Sequence, residues 1–303
     1  MPPLAMPPRP QRPAAMPAPA AKPAGQPATP ALVPPAAPIS HAATPAPTIA
    51  PDRITRQYKW HPSRPDHRDL LYAAAPAQIQ ALPAMADLRP HMPPVYDQGQ
   101  LGSCTANAIG AAMEFERMRQ GLPAVTPSRL FIYFNERLME GTVKSDSGAQ
   151  IRDGIKSVAS KGVCPESEWP YTEDYRVQPV PKCYADALKE MATQYSAVRQ
   201  DLTQLRTVLA GGSPVVLGIT VYASFESDAV AATGAVPMPT AEEQCLGGHA
   251  VLLVGYSDAS RRFTVRNSWG AGWGQAGYFT IPYDYVTSPQ LASDMWVIKL
   301  VTK

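Results

Sequence analysis

Charge of either sign is scarce and nearly balanced: the 303 residues hold 27 Lys or Arg and 25 Asp or Glu, a formal net of +2. No basic surplus exists to draw nucleic acid or an anionic membrane as the main partner, and neither is expected. Long apolar runs are missing too. No stretch approaches the ~18 consecutive apolar residues of a membrane-spanning helix. Cysteine is rare: Cys104, Cys164, Cys183 and Cys245 form no C-x-x-C pair, so no structural zinc site is expected. Cys245 and His249 stand four apart and could share a helical face. Two ligands alone do not make a site, and no metal is expected.

Acidic residues are absent from residues 1–51, whose only charges are Arg9, Arg12 and Lys22 among many Pro and Ala. Proline fixes φ and removes donors, so this arm is expected to be extended or disordered, with polyproline II character. It reads better as a tether than as a ligand for a Pro-binding module. No continuous apolar core of about 7–15 residues follows the start, so it is not read as a secretory signal.

Residues 52–81 differ again. Arg53, Arg56, Lys59, His61, Arg64, His67 and Arg68 mix with Asp52, Asp66 and Asp69 and with Tyr58, Trp60, Leu70, Leu71 and Tyr72. Such a segment can dock on something, while Pro62 and Pro65 argue against a long helix. From about residue 82 the composition turns globular. Apolar spacing predicts helices over 104–119, 127–139 and 150–159, and a short one over 201–209 stopped by Gly211-Gly212. Strand-like runs follow at 215–221, 250–256, 262–266 and 277–281. Helices first and strands after predict an α+β protein with a helical lobe and a sheet lobe.

Chemistry concentrates at three places. Cys104 follows Gln98-Gly99-Gln100-Leu101-Gly102-Ser103 and opens a predicted helix. The free amides and positive dipole end of that helix favour a thiolate. Gln98 and the Cys104 backbone N–H could both donate to a developing oxyanion. His249 begins a buried strand and could serve as general base and then general acid. Asn267 could accept from one ring nitrogen of His249 and leave the other facing sulfur, under an indole such as Trp269 that excludes water. A thiol, its base and the group that orients the base are what a cysteine protease requires. A thiolate–imidazolium pair supplies its own reactivity, so no cofactor is expected.

Gln98-Gly99-x-x-Gly102-Ser103-Cys104, Gly248-His249-Ala250-Val251-x-x-Val254-Gly255-Tyr256 and Arg266-Asn267-Ser268-Trp269-Gly270-x-Gly272-Trp273-Gly274 resemble the three signature blocks of papain-like (cathepsin-type) cysteine peptidases. Trp169-Pro170-Tyr171 fits the same pattern. The resemblance implies a papain-like two-lobe fold: a helical left lobe at about 82–200, an antiparallel β-barrel-like right lobe at about 201–303, and an active site in the cleft between them. It also implies Cys104 as nucleophile, His249 as acid/base, Asn267 as orienter and Gln98 as oxyanion donor, with Ser147, Gly148, Gly248 and Trp269 along the substrate. Peptides or proteins would be the substrates, and family habit suggests secretion.

Two departures from the family pattern imply a bacterial-type or otherwise divergent branch rather than a lysosomal cathepsin. Leu101 and Thr105 replace the Cys and Trp usual around the nucleophile, so the disulfide of that Cys is not expected. The usual long helical propeptide is missing as well. Residues 52–80 are expected to cross the cleft instead, as a short inhibitory pro-segment of a zymogen. Cys164 and Cys183 could form a disulfide, worth ~3 kcal/mol by loop closure, or remain a reduced pair. An endopeptidase is the expected function. A restricted exopeptidase of the same family is the alternative, and a non-catalytic interaction protein using the Pro-rich arm is a third reading.

Overall fold

Small side chains make the central helix. A computed structural model describes residues 56–302, so the arm read at 1–51 and the first residues of the 52–81 segment lie outside the described residues. After a short helix α1 (Pro76–Gln80) and strand β1 (Met85–Asp87) comes α2 (Cys104–Arg119), buried without interruption from Cys104 to Glu116. Ala106, Ala108, Gly110, Ala111 and Ala112 let neighbours approach it from several sides, as a helix inside a core requires. Helices α3 (Arg129–Glu140) and α4 (Ile151–Ser160) pack beside it. Ser128 caps α3 by accepting from the Phe131 amide, and Gly141 ends it in the left-handed region at φ 72°.

The rest of the chain runs α5 (Pro181–Ala187), β2 (Ala192–Ala197), α6 (Leu202–Ala210), β3 (Val215–Tyr222), α7 (Asp228–Thr233), β4 (Cys245–Ser257), β5 (Arg262–Arg266), β6 (Tyr278–Pro282), α8 (Tyr283–Thr287) and β7 (Ala292–Val301). The strands form one antiparallel sheet in the order β2-β7-β3-β4-β5-β6, with β1 added along β4. This is the expected papain-like, mixed helix-and-sheet architecture, its sheet open at β2 and β6. Helix α2 docks on β4, so the residue that opens the helix meets those at the start of the buried strand.

Sequence spacing placed α2 and β5 at their observed bounds and β3, β4 and β6 within a few residues at one or both ends. Other features differ. Cys245 and His249 lie on a strand rather than a helical face, and Cys245 is exposed. Cys164 and Cys183 are buried free thiols, so the disulfide alternative is not realised here. They sit side by side, and burial together with Cys183 pushes the Cys164 thiol up.

Candidate active site

Cys104 is the first residue of α2, and the loop before it is stitched to the loop after β5. The Gln98 amide donates to Ser268 O at 2.9 Å, and Gly270 N donates to Tyr96 O at 2.9 Å. Gly99, at φ 58°, turns the chain, and its amide is held by Asp97 Oδ1 at 2.9 Å. The Gln98 side chain is fixed at both ends: Nε2 donates to Leu101 O at 2.8 Å, and Oε1 accepts from Ser268 Oγ at 2.6 Å. One amide proton of Gln98 stays uncommitted. Tyr171 braces the loop from the other side, donating to Gln98 O at 2.9 Å and lying 2.5 Å from Ser103 Oγ.

His249 stands on β4 opposite Ile219 of β3, and Asn267 follows β5. The His249 Nε2 to Asn267 Oδ1 distance is 2.9 Å. That oxygen also accepts the Ser268 amide at 2.8 Å, which identifies it as the carbonyl end of the side chain. Nε2 therefore carries the proton, and Nδ1 presents a bare lone pair. Among the described residues Nδ1 is buried without a partner. The Trp269 indole stacks on the imidazole, centroids 5.1 Å apart and planes 23° apart, and is itself held edge-on by Trp273 and Phe225. The Cys104 sulfur lies against the Ala250 amide, one residue past His249. Cys104, His249 and Asn267 are thus brought into one neighbourhood.

A stretch of the chain's own N-terminal side covers that neighbourhood. The Arg56 guanidinium sits 4.1 Å from the centroid of the Trp269 ring. Tyr58 meets His249 edge-on at 5.9 Å and bonds Glu226. Lys59 bridges to Gly248, and the Trp60 amide donates to Gly248 O at 2.9 Å. The Trp60 ring fills the space where Gly218 and Gly248 have no side chain. His61 continues to Ser147 O at 2.9 Å and to Ala149 O at 3.3 Å. Gly148 sits at φ 73°, where its missing Cβ makes room for the Lys59 carbonyl. Each position expected to line the substrate — Ser147, Gly148, Gly248 and Trp269 — touches residues 56–61.

Cover changes the electrostatics. Helix position and the amides of Ala250, Thr105 and Cys104 favour a thiolate, but burial outweighs them and pushes the Cys104 thiol up to about 12, with the nearby Glu136 carboxyl adding to the rise. Burial pushes the His249 imidazole down to about 4 despite its Asn267 bond, and the Arg56 cation adds to the fall. Both shifts disfavour the thiolate–imidazolium pair in the covered site.

A family model for papain family cysteine proteases matches residues 82–297. The chain belongs to the papain family. This papain-family cysteine protease is a hydrolase of peptide bonds. It is 40% identical over 275 residues to an uncharacterised peptidase C1-like protein of Acanthamoeba polyphaga mimivirus, covering 82% of this chain and 88% of that one. It is 45% identical to the solved structure of xylellain, a cysteine protease from Xylella fastidiosa, with a TM-score of 0.77 over 83% of this chain and 99% of that one. Procathepsin B S9 from Trypanosoma congolense shares the fold at 16% identity and a TM-score of 0.65, over 78% of this chain and 84% of that one.

Two residues near the papain-family site escaped sequence reasoning. Asp146, beside the expected Ser147-Gly148, reads in sequence as an ordinary turn residue. Tyr171 stood out only as part of Trp169-Pro170-Tyr171, with nothing to show that its hydroxyl would brace Gln98.

Proposed function

We propose that this protein is a cysteine endopeptidase made in a shut form. His249 Nδ1 takes the Cys104 proton as sulfur attacks the substrate carbonyl carbon. The uncommitted Gln98 proton and the Cys104 amide receive the oxyanion. The imidazolium then protonates the departing amine, and His249 as base activates the water that releases the acyl group. Asn267 holds the ring and its tautomer throughout. The observation that carries this reading is the His249–Asn267 bond beneath Trp269, with Nδ1 left bare and the Cys104 sulfur against the amide of the next residue, Ala250.

In the same reading residues 52–81 are a pro-segment, 82–303 the peptidase domain and 1–51 a tether. Support comes from the contacts of residues 56–61, which exclude substrate and water together. Endopeptidase action is supported by the run of this stretch across the site, from Trp269 at one end to Ala149 at the other. Such a groove admits a chain without free ends. The test compares the intact chain with Trp60→Ala, using an epoxysuccinyl thiol reagent and a quenched peptide blocked at both ends. Slow labelling of Cys104 in the intact chain, faster labelling in the variant and internal cleavage of the peptide are expected. Equal labelling rates reject the shut form, and a requirement for a free terminus rejects the endopeptidase.

A further inference from the structure

One carboxylate beside the nucleophile has no part in the scheme above. Asp146 lies in the loop between α3 and α4, its side chain only 13% exposed. Both of its oxygens lie 3.1 Å from the amide of Gly102, two residues before Cys104, and Oδ1 accepts from the Tyr133 hydroxyl. Bonds of this kind hold an anion in a fixed place and offset part of its desolvation. Arg137 is close enough to feel the Asp146 charge. Its guanidinium donors are committed to the carbonyls of Tyr133, Val143, Ser145 and Tyr175, so it balances charge at a distance and leaves the outer face of Asp146 open.

That face is taken by Lys59. Its ammonium lies 3.0 Å from Asp146 Oδ2 and 2.5 Å from the Asp146 carbonyl oxygen. The stem runs over Gly102, where an added Cβ would stand 2.6 Å from Lys59 Cδ. A glycine floor next to the nucleophile thus leads to a carboxylate and a carbonyl, both acceptors and both suited to a cation. Lys59 reaches this place from a stretch that lies where substrate would lie.

We propose that Asp146 is a specificity-determining residue, selecting a lysine or arginine side chain of the substrate at the place Lys59 holds in the shut form. The assignment rests on the peptidase reading. Once residues 56–61 withdraw, the carboxylate loses its only direct ion-pair partner among the described residues. A basic substrate side chain restores that pair, a neutral one leaves it unmade, and an acidic one opposes it.

The test uses the full chain carrying Trp60→Ala and blocked fluorogenic peptides with Lys, Arg, norleucine or Glu at each position upstream of the cut. At one position kcat/KM for Lys or Arg is expected to exceed that for norleucine by about tenfold or more, as a half-buried, hydrogen-bonded charge pair allows. Glu should be slowest there. Raising salt from about 0.05 to about 0.5 M should shrink the preference, because counter-ions screen a partly exposed pair. Asp146→Asn should bring Lys and norleucine within about threefold of each other. The salt series leaves Asp146 and its bonds to Gly102 intact, so it stands even if that variant misfolds. Hydrolysis with no basic preference at any position overturns the proposal, as does a preference that survives Asp146→Asn. If Trp60→Ala cleaves no peptide and Cys104 takes no epoxysuccinyl label, the peptidase reading itself falls and this proposal falls with it.

Discussion

At the residue scale, burial shifts Cys104 and His249 in directions that oppose the proposed chemistry, and the shifts set a pH window for the shut form. Burial pushes the His249 imidazole from the 6.5 of a solvent-exposed imidazole down to about 4 in the shut form. The shut form resists protonation there, so its advantage is intact above pH 6.5 and declines as pH falls toward 4. Cys104 works in the opposite sense: its thiol rises from 9.0 to about 12, so the shut form loses ground as pH climbs past 9. Maximal closure is expected between about pH 6.5 and 9. Hydrogen exchange at the Trp60 amide, corrected for intrinsic pH dependence, should show fastest opening on the acid side. Arg56→Gln removes a cation that depresses His249 and should flatten that acid limb. An acid limb that is flat in the unmodified chain contradicts the account. For the proposed mechanism the decisive contact is Asn267 Oδ1 with His249 Nε2. Asn267→Ala leaves Nε2 without its acceptor and is expected to lower kcat/KM about 10–100-fold, by analogy with lost orienting partners of other histidines. A change in KM alone would contradict that orienting role.

At the element scale, strand β3 supplies a gap that the covering stretch fills. Gly218 has an ordinary strand conformation, yet a Cβ there would overlap the Trp60 ring. Gly218→Ala should therefore fit the strand and expel the indole, raising the labelling rate of Cys104 in the full chain about tenfold or more, since burial of an aromatic side chain is worth several kcal/mol. Unchanged labelling with a well-folded protein would show that Trp60 is not the plug. The plug is also imperfect, because its buried Nε1–H finds no partner among the described residues. An unpaired buried N–H costs about 1–3 kcal/mol and keeps the contact releasable. Elements built on regular spacing were legible in sequence: α2 shows helical spacing of small and apolar residues, and β4 a continuous apolar run. Others were not. Strand β2 is half polar and lies at the sheet edge, and β7 is interrupted by Asp294 at φ 60° and by a register shift against β3. Residues 56–61 carry no periodicity at all, since their side chains fit separate sites in a cleft rather than one face of a core. Composition could suggest that they dock, but not that Lys59 meets Asp146 or Trp60 meets Gly218.

At the scale of the whole molecule, closure is distributed. Beyond the cleft the covering stretch continues across both halves. Ser63 Oγ donates to Asp294 Oδ2 at 2.7 Å beside the sheet, Arg152 of α4 pairs with Asp69 at 2.6 Å, and the backbone of Leu70 and Tyr72 bonds Ala197 of β2 at 2.8 Å. Opening the active site thus requires loss of several weak contacts in series, and the least stable of them sets where opening begins. Trp60 is deeply packed, whereas Leu70 and Leu71 are 73% and 53% exposed, so release is expected to start at the far end and travel toward Cys104. The Arg152–Asp69 pair is the strongest polar hold on that end, with side chains 13% and 10% exposed. Arg152→Met keeps the stem of the arginine and leaves Asp69, among the described residues, with Lys156 at 3.9 Å as its remaining ion-pair partner. A loss of about 1–3 kcal/mol is expected for a carboxylate left in so little solvent. Protease cleavage within residues 56–72 and labelling of Cys104 should then both accelerate. If cleavage accelerates while labelling does not, the two ends open independently and closure is local to the cleft.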